Sequence, residues 1–252
     1  MKYQRAYQED YAKGRPQMYD NKSRVEKAKR IPLLIKNHLQ TKSLKNLTAL
    51  DVGASTGIID NIIADDFKKV LGTDIDKEAI AYAKKTFQKK NLTFKVADAM
   101  NLKVNKKSFD IVICTHVYEH VPDVEALFGQ IHTVLSKKGL CYLAAQNRLF
   151  PWEPHHNLMF LSWLPKKIAD TYVQVTRGKE EYYEHPLSYW ELLSILKKKF
   201  IIHDYTSKIL QDPQKYGYEN AVNTPLKRSL AKLFSPIATY FFPTFFWILE
   251  KK

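Results

Sequence analysis

The chain has 252 residues, enough for one α/β domain, and 45% apolar residues, an ordinary share for a soluble globular protein. Its two cysteines, Cys114 and Cys141, each lie inside an apolar run, which argues against a disulfide scaffold; with no apolar leader after Met1-Lys2-Tyr3, a cytoplasmic setting is expected. The net charge of +14 favours an anionic partner, but only seven of the 40 basic residues are Arg and the lysines are scattered in groups such as Lys84-Lys85 and Lys197-Lys198-Lys199, so nucleic acid is not the expected partner.

Residues 1–40 precede the first strand. They are polar and tyrosine-rich up to Asn21, then amphipathic, with Val25, Ala28, Ile31, Leu34, Ile35 and Leu39 at helical spacing. This helical segment is expected to cover the site carried by the domain that follows, residues 41–252. Residues 47–52 read as a strand. The tight loop Gly53-Ala54-Ser55-Thr56-Gly57 leads into a helix at about 58–67, and a second strand at 69–74 delivers Asp74 at its carboxyl end. Ligands of open parallel sheets sit at the carboxyl ends of the strands, so Asp74 is placed to hold two ribose hydroxyls. The glycines let the backbone approach a ligand closely.

A dinucleotide fingerprint requires G-x-G-x-x-G, which is not present. Asp51 stands instead at the mouth of the loop. A fixed negative charge there opposes a pyrophosphate and suits a ligand with an ammonium and a sulfonium, as in S-adenosylmethionine. On these residues the chain resembles the class I (Rossmann-like) S-adenosylmethionine-dependent methyltransferases of the small-molecule type, whose first motif is D/E-x-G-x-G-x-G. Asp51, Gly53 and Gly57 match that motif, and Ser55 replaces its middle glycine. The resemblance implies an α/β fold: a doubly wound, mostly parallel seven-stranded sheet with helices on both faces and a small cap. It also implies S-adenosyl-L-methionine as cofactor, with Asp51, Gly53, Ala54, Ser55, Gly57, Asp74 and Ile75 around it.

Strands at 92–97, 109–115 and 139–146 alternate with helices at about 77–89 and 123–136, the pattern of βαβ units. Asp98 follows the third strand. In the resembling family the matching acidic residue binds the adenine amine, and the next residues, here Ala99 and Met100, cover the ring. Thr115 and His116 end the fourth strand, beside the expected methionine arm. The H-x-x-E-H run from His116 to His120 is not a peptidase zinc helix, because Pro122 interrupts it. In ubiquinone-pathway catechol methyltransferases and small-RNA 2′-O-methyltransferases a related E-x-x-E-H segment holds a divalent ion. Here His116 replaces the first Glu, and no metal is expected.

Asn147, Arg148 and Trp152 follow the fifth strand and are candidate acceptor-binding residues. A hydroxyl acceptor needs its proton removed as it attacks, and His is suited to that near neutral pH. His155, His156 and His120 are the candidate bases, with His116 or Glu119 as the catalytic partner that orients the base. The histidines favour O-methylation of a small molecule or glycan. The alternatives are an RNA-modifying methyltransferase, or a membrane-associated enzyme acting on a lipid-linked or quinone-like acceptor. Further on, the pattern predicts a helix at 158–175, a Ser188–Glu191 capping box opening a helix to about Lys198, a strand at 200–205, a helix at 225–240 and a closing strand at 245–249. Residues 148–187 and 207–242 read as cap insertions. The apolar run 236–249 is too short to span a bilayer. It reads as a helix end plus a buried strand, with peripheral membrane contact through this C-terminal aromatic segment as the sharper alternative.

Overall fold

Strict alternation of apolar strands and amphipathic helices forces helices onto both faces of one sheet, and the computed structural model has that arrangement. It describes residues 9–13, 15, 18–19, 21–178, 181–218, 229, 233, 235 and 237–252. Among these, α1 (Asn21–Leu39) leads into β1 (Leu44–Val52), α2 (Ile58–Ile63), β2 (Phe67–Asp74), α3 (Lys77–Thr86), β3 (Leu92–Val96), β4 (Phe109–Thr115), α4 (Val124–Val134) and β5 (Leu135–Gln146). A hairpin of β6 (Trp152–Glu153) and β7 (Leu158–Met159) follows, then α5 (Lys166–Arg177), α6 (Tyr189–Leu196), β8 (Phe200–Asp204), α7 (Thr206–Gln211) and β9 (Thr244–Lys251).

The large sheet has seven strands in the order β3-β2-β1-β4-β5-β9-β8. The first five are parallel, and β9 runs antiparallel to both β5 and β8. The chain winds outward from β1 to β3, then crosses over to β4, so a crevice opens between the carboxyl ends of β1 and β4. This is the point at which such sheets bind ligands.

Period-two alternation feeds both layers. Ile111, Ile113, Phe246 and Ile248 face one cluster with Ile31 and Ile35 of α1 and Ile80 of α3. Val112, Cys114, Phe245, Trp247 and Leu249 face the other, with Leu127, Phe128 and Ile131 of α4 and Leu192 and Leu196 of α6. A satellite of Leu158, Leu161, Ala169 and Val173 holds the cap together. Local signals set the helix starts: Asp76 accepts from the Ala79 amide at 3.0 Å and Asp123 from the Ala126 amide at 2.9 Å. The capping box of Ser188 and Glu191 is formed.

Several boundaries differ from the sequence reading. α2 stops at Ile63, because β2 begins two residues earlier than expected, with buried Phe67. The helix expected at 158–175 starts only at Lys166: Pro165 stands at its N-cap, and β7 and a 3₁₀ turn (Leu161–Trp163) occupy the residues before it. The helix expected at 225–240 lies largely outside the described residues. The aromatic residues of the closing strand are not at the surface. Phe245, Trp247, Ile248 and Leu249 are 0% exposed between β5 and β8, which removes them as a membrane contact. Among the described residues, no helix is long and apolar enough to cross a membrane.

Candidate active site

A cavity of about 820 Å³ opens at the carboxyl ends of the parallel strands. Asp51, Gly53, Ala54, Ser55, Asp74, Ile75, Asp98, Ala99, Thr115 and His116 line it, whereas Gly57 and Met100 do not. Gly57 serves the backbone instead. At φ 75 it caps α2, and a Cβ there would stand 2.6 Å from the Phe94 ring. Met100 closes the turn by donating its amide to Asp98 Oδ1 at 2.9 Å. A Cβ on Gly53 (φ 88) would collide with Val117 Cγ2, so that position needs glycine. Ser55, in place of the motif's middle glycine, keeps the left-handed backbone at φ 50. Its amide donates to Asp74 Oδ2 at 2.8 Å, and the Asp76 amide donates to Asp74 Oδ1 at 2.9 Å. Asp74 therefore ties the loop to the end of β2. Burial lifts its pKa above the ordinary carboxylate value, against the pull of these amides.

Asp51 lies against a residue that the sequence reading did not single out. Asp60, on the first turn of α2, is 0% exposed. Its Oδ1 lies 2.8 Å from where a Cβ on Gly72 would stand, and Gly72 is the register partner of Asp51 across β1 and β2. Burial, followed by the charges of Asp60 and Asp74, pushes the Asp51 pKa well up; burial raises that of Asp60 to about 7. Asp51 Oδ1 and both Asp60 oxygens are buried without a hydrogen-bond donor, and two carboxyls in so dry a place favour keeping a proton between them. No motif marks Asp60, because an Asp one turn into a helix reads as solvated.

The N-terminal segment supplies Tyr11, Arg15, Met18, Arg24 and Lys27 to the cavity wall. It is pinned to the loop: Thr56 Oγ1 donates to the Met18 carbonyl at 2.6 Å and the Ala12 amide to Asp76 Oδ2 at 2.9 Å. Residues this far from the motif, and most of them outside regular structure, carry no spacing signal.

The far end of the cavity is a histidine–glutamate cluster. His155 lines it, and its Nδ1 lies 2.7 Å from Oε1 of buried Glu153. Glu153 also accepts from Gln146 Nε2 at 3.1 Å and the His156 amide at 2.7 Å. Burial works to lower the His155 pKa, but the hydrogen bond to Glu153 and the charges of Glu184, Glu153 and Glu119 outweigh it, and the net shift is upward. His120 lines the cavity with its ring 5.0 Å from those of Tyr11 and His155, and burial takes its pKa down to about 4.

Three candidates are placed differently from the sequence reading. His156 does not line the cavity; it is buried, its Nε2 3.3 Å from Glu184 and its ring against Tyr182. Glu119 lies behind the wall, 3.2 Å from His116 Nδ1; burial raises its pKa, but the hydrogen bond and charges of His116 and His120 lower it on balance. Arg148 turns away to pair with Glu191 at 2.8 Å. Asn147 does line the cavity, but its amide donates to the Tyr240 and Phe242 carbonyls at 2.9 Å each, so it clasps the segment before β9. Trp152 stands in the lining, 42% exposed. Ligand atoms of Glu119, His120 and His155 all lie within 4.8 Å of one another, a spacing that could hold a cation.

Sheet order, glycine loop and strand-end carboxylates together define a Rossmann-like methyltransferase domain. Residues 50–143 match the family model described as a methyltransferase domain, and the chain carries a class I S-adenosylmethionine-dependent methyltransferase domain. It is similar to the ubiquinone biosynthesis O-methyltransferase of Pelagibacter ubique, 32% identical over 109 residues that cover 42% of this chain and 45% of the relative. The chain thus spans about half the length of the curated relatives it matches. In fold it is similar to an S-adenosylmethionine-dependent methyltransferase from Mesorhizobium loti (TM-score 0.56, 17% identity, 89% of this chain and 98% of that one). It is also similar to a geranyl diphosphate C-methyltransferase from Streptomyces coelicolor (TM-score 0.52, 14% identity, 91% and 81%). The fold therefore accommodates different acceptor atoms, and the acceptor has to be argued from the site.

Proposed function

We propose that the protein transfers the methyl group of S-adenosylmethionine to a hydroxyl of a small molecule or glycan. The carrying observation is the Glu153–His155 pair on the cavity wall. The cavity fits the cofactor: buried Asp51 on its wall, with buried Asp60 next to it outside the lining, suits a cationic methionine arm, and the Gly53 cradle is closed to any Cβ. Asp74 would hold the ribose, Asp98 and Ala99 the adenine, and Thr115 and His116 the approach to the sulfur. When bound, the cofactor supplies an electrophilic methyl carbon. Glu153 holds the proton of His155 on Nδ1, which leaves Nε2 to take the acceptor's proton as its oxygen attacks. The two buried, free cysteines accord with a cytoplasmic setting.

The reaction as proposed needs no metal, because Glu119 and Glu153 are each already matched by an imidazole, His116 and His155. The test is methyl transfer from labelled cofactor to a panel of hydroxylated acceptors. His155→Ala should lower turnover about 10²-fold while cofactor affinity stays within twofold. Turnover that survives this change would remove the base. Activity abolished by a chelator and restored by magnesium, manganese or zinc would put an ion in its place.

A second reading concerns where the acceptor resides. Leu233, Ile237 and Phe241 are 70%, 63% and 50% exposed, while Ser235 and Thr239 beside them are buried. An apolar stripe just ahead of the cavity-lining Pro243 and Thr244 suits docking on a bilayer that holds a quinone-like or lipid-linked acceptor. The name of the Pelagibacter ubique relative, an O-methyltransferase of ubiquinone biosynthesis, favours the same class.

A further inference from the structure

At the opposite end of the sheet, α1, β8 and β9 bring two imidazoles and a carboxylate together. His203 is the register partner of Ile248, whose side chain packs in the layer that contains α1. By strand alternation Glu250, two residues on, shares that face, and His38 approaches it from the last turn of α1. Glu250 Oε1 lies 2.8 Å from His38 Nε2 and 3.4 Å from His203 Nε2, and the His38 and His203 rings are 4.8 Å apart. Ligand atoms of all three residues fall within 4.8 Å of one another.

Hydrogen bonding alone does not satisfy this group. His203 Nε2 is buried without a hydrogen-bond partner, although a carboxylate oxygen stands beside it. With its proton on Nδ1, the Nε2 lone pair would face that oxygen and repel it; with the proton on Nε2, the donor geometry fails. A dication between them relieves both conflicts. His38 is already oriented for such a role: its Nδ1 lies 2.9 Å from Tyr205 Oη, the kind of outer partner that fixes a tautomer and turns Nε2 toward a metal.

We propose that His38, His203 and Glu250 form a zinc site that clamps the end of α1 to the sheet edge. Two imidazoles and one carboxylate are ordinary zinc ligands, and part-exposure leaves a fourth position to water. The site is separate from the cavity. Thr244 lines the cavity, and Glu250 lies about 20 Å farther along the same strand at about 3.4 Å per residue. Because zinc bound only to the folded chain stabilises it, the expected signature is a metal-dependent rise in Tm.

The test strips the full-length protein with a chelator and titrates zinc against a chromophoric competitor, following Tm in parallel. His203→Ala and Glu250→Gln should each weaken binding at least tenfold and abolish the zinc-dependent rise in Tm, whereas His155→Ala in the cavity should preserve both. Cobalt in place of zinc should give the visible absorption of a tetrahedral site, lost in His203→Ala. Wild-type protein whose Tm does not respond to zinc overturns the proposal. So does a response that survives both edge substitutions, or one that disappears only with His155→Ala. Methyl transfer by His203→Ala should remain within twofold of wild type, which separates failure of this site from failure of the proposed reaction.

Discussion

Asp51 and Asp60 share a space with Asp74 on one side and Arg24 of α1 as a facing cation, and burial dominates both carboxyls. Their folded pKa values lie above the unfolded ones. The folded state thus holds an extra proton from the ordinary aspartate range near 4 up to about 7, and stability of the cofactor-free protein falls as pH rises through that window. Denaturant unfolding at pH 5 and pH 8 should show the loss, and Asp60→Asn should lessen it. A cationic methionine arm favours the ionised pair, so cofactor affinity should tighten between about pH 5.5 and 7 with release of a proton. Calorimetry in two buffers of different ionisation enthalpy reads this directly; the same pH slope in Asp60→Asn would refute the shared proton. His155 is likewise shifted upward. Its raised pKa keeps it protonated to higher pH, so turnover should rise through a limb above 6.5. Glu153→Gln leaves burial as the main remaining influence, and the limb should move to lower pH while kcat falls.

Elements were legible where a local physical signal sets the boundary. The Ser188–Glu191 box is such a case: Ser188 Oγ accepts the Glu191 amide at 3.5 Å and Glu191 Oε2 accepts the Ser188 amide at 2.8 Å. Ser188→Ala should cost about 1 kcal/mol by thermal unfolding. Arg148→Ala should cost less, because its ion pair with Glu191 is over a third exposed at both ends. Pro165 carried an equally strong signal, a residue suited to the start of a helix and not to its interior, yet the apolar spacing on either side favoured one continuous helix. The N-terminal segment is held to the cofactor loop by hydrogen bonds from Thr56 to Met18 and from Ala12 to Asp76. Bound cofactor should therefore slow amide exchange at Ala12, whereas unchanged exchange would separate the segment from the cavity.

At the scale of the whole molecule, the sheet decides which apolar residues face solvent. Antiparallel β9 inserts between β5 and β8, which buries Phe245, Trp247 and Leu249 and leaves Leu233, Ile237 and Phe241 outside. Trp247→Ala should destabilise by about 3–5 kcal/mol, the range for emptying a packed aromatic site. Replacing Leu233, Ile237 and Phe241 together by Ser should leave Tm nearly unchanged and reduce sedimentation with anionic vesicles at least fivefold. Equal sedimentation of the two proteins would assign any vesicle binding to the dispersed lysines.

Neighbouring residues along the chain settle the alternation of strands and helices, the glycine loop, and the strand-end positions of Asp51, Asp74 and Asp98. These follow from periodicity, backbone conformation and sheet topology, which act over a few residues or by general rule, and so they can be read without coordinates. Pairings between distant segments come from the folded molecule alone. Asp60 meets Asp51 because Gly72 leaves room between the strands, Glu153 and Glu184 take up His155 and His156, and Arg148 goes to Glu191 instead of the cavity. His38, His203 and Glu250 belong with these, since they lie far apart in the chain and meet only through strand register and the packing of α1. A buried charge takes whichever partner the packing brings within reach, and that depends on three-dimensional closure, which no local spacing encodes.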